Sequence, residues 1–210
     1  MLKQLPIARA YLVPPVGVAL LLAALFLLPE TLKMSLVYDR SAILSGELWR
    51  LLSGQFMHLE VGHLALNMSG LLLFWLLFAE HAPGFRYLAV VVIIALGANM
   101  GMLVTDPNVV YYVGFSGTLY GMFAWGALSD VLQQVKLGWI LLLGITGKAV
   151  YDYWLAPAAI EQGIVVVPTE SDLAVSAHFY GVVTGIVLAF VQRALGVSKR
   201  ERDSSAKHNR

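Results

Sequence analysis

Read in windows of about 19 residues, this 210-residue chain shows six apolar stretches: 10–28, 58–79, 86–105, 116–134, 137–155 and 173–193. Each is long enough, at about 1.5 Å of rise per residue, to cross a hydrocarbon core of roughly 30 Å as a helix. Lipid admits only helices or closed barrels, because every backbone polar group must find a partner within the protein. The chain is therefore expected to be an all-α polytopic membrane protein. A six-helix domain would occupy 1–195, and 196–210 would form a polar, disordered cytoplasmic tail. Composition agrees: 59% of residues are hydrophobic and 13% charged, too apolar for a soluble domain of this length. The first stretch reads as an uncleaved helix, since Leu27-Leu28-Pro29-Glu30 follows it in place of a small-x-small cleavage site.

Basic residues set the expected orientation. With both termini cytoplasmic, the inner loops and tails collect Lys3, Arg9, Arg86, Lys136, Arg193, Lys199, Arg200, Arg202, Lys207 and Arg210, against Lys33, Arg40 and Arg50 outside. That bias follows the positive-inside rule. A net charge of +1 then carries no sign of a nucleic-acid partner. The absence of cysteine excludes disulfides, thiolate metal sites and cysteine nucleophiles. His58, Glu60 and His63 cluster, but histidines five apart do not share a helix face as a zinc-binding His-Glu-x-x-His does. No metal and no other cofactor is expected.

Two short segments carry reactive groups into apolar surroundings: Gly114-Phe115-Ser116-Gly117 and Ala177-His178-Phe179-Tyr180-Gly181. Ionisable or reactive groups in membrane-length segments are functional suspects, because lipid penalises an unpaired polar group by several kcal/mol. A serine and a histidine meeting at one depth make a nucleophile and its base. His63 and Asn67, four apart, project from one face of the second span. They read either as hydrogen-bonding glue between helices or as donors for a developing oxyanion. The deduced topology places all four groups in the outer leaflet, which favours the second reading. Gly117 and Gly121 are four apart, as are Gly181 and Gly185, and such small-xxx-small faces let helix backbones approach closely. The serine segment lacks the last glycine of the soluble-hydrolase elbow, since Thr118 stands there. Residues 109–113 are expected to be a loop leading into a helix whose first N–H groups would suit an anionic intermediate.

On these residues the chain resembles the rhomboid intramembrane serine proteases, from Glu47-Leu48-Trp49-Arg50 to Gly185. The resemblance implies a rhomboid-like six-helix bundle. It also implies a nucleophile at Ser116 in Gly114-x-Ser-Gly117, and a base at His178 in Ala-His-x-x-Gly181-x-x-x-Gly185. By the same resemblance His63 and Asn67 are the oxyanion donors, Tyr120 packs on the catalytic imidazole, and Trp49-Arg50 brace the outer face. Within the family, Leu48–His58 and Lys148-x-x-x-Asp152 look like the rhombosortases. That likeness implies substrates carrying a C-terminal Gly-Gly motif, a membrane helix and a basic end, processed at the bacterial inner membrane with the site opening to the periplasm.

The expected chemistry is a Ser–His dyad, because no aspartate is placed by sequence to orient His178. Lys148 and Asp152, four apart, read either as a mutually neutralising ion pair or as a substrate contact. Pro29–Gln55 reads as an interfacial brace. The run Gly163-Ile-Val-Val-Val-Pro168 within 156–172 reads as a cap over the site or as an apolar loop on lipid headgroups. Asn99 and Asp130 read as packing and interface residues. Three other functions stay open: a general rhomboid protease of single-span substrates, a non-proteolytic binder of membrane helices, and a small transporter, whose usual internal repeats are not seen.

Overall fold

The computed structural model describes residues 5–155 and 175–208. The elements run α1 (Arg9–Phe26), α2 (Glu30–Met34), β1 (Tyr38–Asp39), α3 (Arg40–Leu44), α4 (Arg50–Phe56), α5 (Val61–Phe78), α6 (Phe85–Thr105), β2 (Tyr111–Tyr112), α7 (Ser116–Leu132), α8 (Lys136–Val150) and α9 (Val175–His208). A 3-10 turn, Ala79–His81, follows α5, and a π turn, Tyr151–Leu155, continues α8. The all-helical expectation holds. Among the described residues four segments are long and apolar enough to cross a membrane: Arg9–Phe26, Val61–His81, Phe85–Thr105 and Val175–Gly196.

The other two expected spans form helices of 17 and 15 residues, α7 and α8. Both are cut short for local reasons. Before Ser116, Gly114 takes φ 120°, a left-handed conformation that interrupts a helix; after Leu132, Gln134 takes φ 66° and turns the chain into α8. At the far end of α8 the regular helix gives way to the π turn.

α7 is the centre of the bundle, packed on α9, α8, α6 and α5. Lipid tails are as apolar as leucine, so such packing must come from close fit and hydrogen bonds rather than from escaping water. The glycine faces supply the fit. A Cβ on Gly181 would land on the carbonyl oxygen of Gly117, and one on Gly185 on that of Gly121. The two glycine faces therefore meet each other, and alanine at Gly181 would force α7 and α9 apart. Beneath them a core forms around Phe74, Phe78, Ile94, Met122 and Trp125. Large apolar side chains such as Leu20, Leu72, Leu143 and Phe190 point outward, as they must where the surroundings are lipid.

α1 is tied on by a backbone exchange. Pro14 has no N–H to give the carbonyl of Ala10 four residues earlier, and the amide of Gly84 takes that acceptor at 2.7 Å.

One sequence expectation needs correction. Residues 109–113 are not wholly loop: Tyr38 and Asp39 pair antiparallel with Tyr112 and Tyr111. The partner strand lies more than seventy residues away, so no local pattern announces it. α9 is described to His208, past Gly196, where the polar tail was expected to begin. The 163–168 run lies outside the described residues.

Candidate active site

Ser116 is the first residue of α7 and His178 the fourth of α9. The glycine contact that brings these helices together sits one residue after Ser116 and three after His178. As a result Ser116 Oγ lies 2.8 Å from His178 Nε2. With Nε2 accepting the hydroxyl proton, the ring proton belongs on Nδ1, which is buried and has no partner among the described residues. Tyr120, one turn after Ser116, stacks flat on the imidazole with ring centroids 4.1 Å apart and planes 2° from parallel. Among the described residues no carboxylate hydrogen-bonds the ring, and the Tyr120 stack sets its plane.

His63 comes to the same place through glycine. A Cβ on Gly114 would strike the His63 imidazole, so that ring rests directly on the turn before Ser116. Asn67, one turn further along α5, is buried and bonded through Nδ2 to His58 Nε2 at 2.8 Å. His58 is in turn 3.3 Å from the carbonyl of Phe56 through Nδ1 and edge-on to His63 at 5.1 Å. The place of His58, weighed in the sequence as a metal ligand, is behind Asn67: its Nε2 accepts one N–H of the Asn67 amide and leaves the other.

The start of α7 shows how the backbone donors are distributed. A helix begins with N–H groups that lack intrahelical partners, and Phe115, at the N-cap, cannot supply one. The Thr118 N–H donates to Gln55 Oε1 at 3.2 Å, the Gly117 N–H to Tyr112 Oη at 3.3 Å, and the Leu119 N–H to Phe115 O at 2.9 Å. The Ser116 N–H has no partner among the described residues. Gln55 is wholly buried; it also accepts from Thr118 Oγ1 at 2.9 Å and donates to Asn99 Oδ1 at 2.7 Å, while Asn99 donates to Leu51 O. Asn99 is thus the packing residue expected. Gln55 and Tyr112 were not singled out in the sequence. The available signal was an amide inside an apolar run and a tyrosine four residues before the serine.

The brace around Trp49 and Arg50 is built from carbonyls. Arg50 is buried, pairs with Glu47 at 2.7 Å, and donates to Met34 O and Val37 O. Trp49 is exposed and reaches Ser35 O at 3.3 Å. Arg40 adds a bond to Leu103 O at the end of α6, at 2.7 Å. The segment from α2 to α4 is held to β2, the strand that enters the serine turn, by the β1–β2 pairing and by the Arg40 N–H, which donates to Val110 O at 2.9 Å. Lys148 and Asp152 are ion-paired. They sit where the π turn leans on α9: Tyr153 stacks on Phe179, the neighbour of His178, at 4.8 Å.

The assembled groups are a hydroxyl in contact with an imidazole, an uncommitted backbone N–H beside it, and a second imidazole and a buried amide from α5. That set can activate an alcohol and receive a negative oxygen. A family model described as Rhomboid domain matches residues 45–194, a range holding all of these side chains. YdcA of Bacillus subtilis (strain 168), itself named as a candidate rhomboid protease, is 29% identical over 160 residues, covering 76% of this chain and 73% of its own.

Proposed function

The chain belongs to the rhomboid family, and on that footing we propose that it is an intramembrane serine protease acting on a membrane-anchored protein through a Ser116–His178 dyad. The observation that carries this reading is the 2.8 Å contact between Ser116 Oγ and His178 Nε2. In the reaction His178 takes the hydroxyl proton as Ser116 Oγ bonds to the peptide carbonyl carbon. The carbonyl oxygen becomes an oxyanion, received by the Ser116 N–H and by His63 and Asn67. His178 then hands the proton to the leaving amine, and water hydrolyses the acyl-enzyme by the same steps in reverse order of roles. Tyr120 holds the imidazole plane throughout.

In this proposal α7 and α8 complete a six-span bundle with cytoplasmic termini, a reading supported by the ten basic residues on one side against three on the other. The site then opens on the outer side of a bacterial inner membrane. The test is reaction with a fluorophosphonate followed by mapping of the modified residue. Labelling at Ser116 is the expected result, and an intact protein that takes no label there would defeat the protease reading.

The finer proposal is a substrate with a C-terminal Gly-Gly motif, membrane helix and basic end, as in rhombosortases. It is supported by the Leu48–His58 sequence and by the Lys148–Asp152 pair beside the His178 end of α9. Glycine costs a helix about 1 kcal/mol relative to alanine, so a glycine pair at the membrane face unwinds readily. Its bare backbone also suits a narrow site between glycine-faced helices. A passenger fused to such a tail should be released, and Gly-Gly→Leu-Leu should block release while the tail still inserts. Equal processing of both tails would leave a general rhomboid protease.

A further inference from the structure

A helix is ordinarily capped by the side-chain oxygen of the residue before it, which accepts a free N–H of the first turn. Here that residue is Phe115, which has no such oxygen, and Ser116, the first residue of the helix, turns its Oγ to His178. Something else must satisfy the first-turn amides. Gln55 does so for Thr118, and for Gly117 the partner is the phenol oxygen of Tyr112.

Tyr112 is placed for this by two independent ties. Its backbone is held in the β1–β2 pair opposite Tyr38. Its hydroxyl has a single proton, given to the carbonyl of Gly114 at 2.8 Å, which pins the left-handed residue of the serine turn. The remaining lone pairs face the Gly117 N–H at 3.3 Å and Ser116 Oγ at 3.5 Å. Burial raises the phenol above its ordinary pKa, so it stays protonated and the arrangement persists at any working pH.

We propose that Tyr112 is a positioning residue: its hydroxyl holds the Gly114 carbonyl and the Gly117 N–H on either side of Ser116 and so keeps the serine hydroxyl directed at His178. The inference rests on the reading of Ser116 as nucleophile. Without the phenol, the Gly117 N–H loses its acceptor and the Gly114 carbonyl its donor. The peptides on either side of Ser116 are then free to turn and carry its Oγ away from His178.

Tyr112→Phe keeps the ring and removes only the hydroxyl. The expected result is a fall of about tenfold or more in kcat and in the rate of fluorophosphonate labelling, the scale of effect that follows when a reacting group is misplaced by a fraction of an ångström. KM should stay within about twofold, because the substrate-facing surface is untouched. Tyr38→Phe, across the same strand pair, should behave as wild type. Hydrogen exchange of the peptide holding Gly117 should quicken in Tyr112→Phe, a readout that does not depend on turnover. Wild-type kcat in Tyr112→Phe would overturn the proposal. So would an effect confined to KM, or a lower Tm with unchanged activity per folded molecule, or unchanged exchange at Gly117. If wild-type protein is not labelled at Ser116, the protease reading fails, and the exchange measurement still decides whether Tyr112 holds the Gly117 N–H.

Discussion

The α7–α9 pair is held at both ends by polar side chains, and the two ends are finished differently. At the Asp130 end, Asp130 Oδ1 lies 2.7 Å from His81 Nε2 and Gln133 Nε2 lies 3.2 Å from His81 Nδ1. Beside them Gln192 Oε1 accepts from Arg86 at 2.8 Å and from Trp125 at 3.0 Å. These groups pair with each other, and both nitrogens of His81 are engaged. At the Ser116 end the histidine is held by a stacked ring and one contact, while its Nδ1 and the Ser116 N–H have no partner among the described residues. One end closes its hydrogen bonds; the other holds reactive groups rigid and keeps some donors open. A satisfied polar cluster in a membrane helix pair is a clamp. An unsatisfied one held in place by glycine contacts and stacking suits the proposed oxyanion.

The largest effects should come from the open end. Ser116→Ala and His178→Ala should each abolish cleavage of a membrane-anchored substrate, to about the same residual level, because nucleophile and base act as a unit. The Tm of Ser116→Ala should shift little, since one hydroxyl at a helix start contributes little packing. Substantial turnover by Ser116→Ala would erase the contrast between the ends.

Asn67→Ala is the sharper test, because Asn67 has both a partner and a proposed role. Turnover should fall about 10²-fold, as when one oxyanion donor is removed, with substrate affinity on an inactive background little changed. If the variant instead unfolds while its residual specific activity stays at the wild-type level, Asn67 belongs with the clamp, as the helix-glue alternative requires.

The smallest effect on turnover is expected at the paired end. Asp130→Ala removes a buried carboxylate from His81 and should cost about 1–3 kcal/mol of stability, the range for losing a hydrogen bond to a charged group. A Tm lower by a few degrees with kcat/KM within about twofold is the expected pattern, read by thermal unfolding in detergent and by cleavage assay. A tenfold loss of kcat/KM at unchanged Tm would mean that this end takes part in the reaction.

How far the site could be read in advance depends on how local each signal is. Ser116 and His178 announced themselves as polar groups in apolar stretches and Tyr120 through the family resemblance, and the four-residue glycine intervals forecast a close helix contact that the fold then makes between Gly117 and Gly181. Asn67 was visible as a face-sharing partner of His63, but its bond to His58 was not. Gln55 and Thr118 are 63 residues apart, and Tyr38 meets Tyr112 across α3 to α6. Neither pairing leaves a trace in the periodicity of either segment.

The sequence by itself determined the setting: helices of membrane length, a serine and a histidine each placed beside a glycine face, and a strong sorting of basic charge. It could do so because apolar length, i,i+4 spacing and charge are properties of neighbouring residues. The tertiary structure alone decided which hydrogen bonds are closed and which stay open. The first-turn amides of Gly117 and Thr118 are satisfied because Tyr112 and Gln55 arrive from elsewhere in the chain to accept them. A polar group's partner is set by where distant backbone comes to rest, and that is fixed by packing rather than by local spacing.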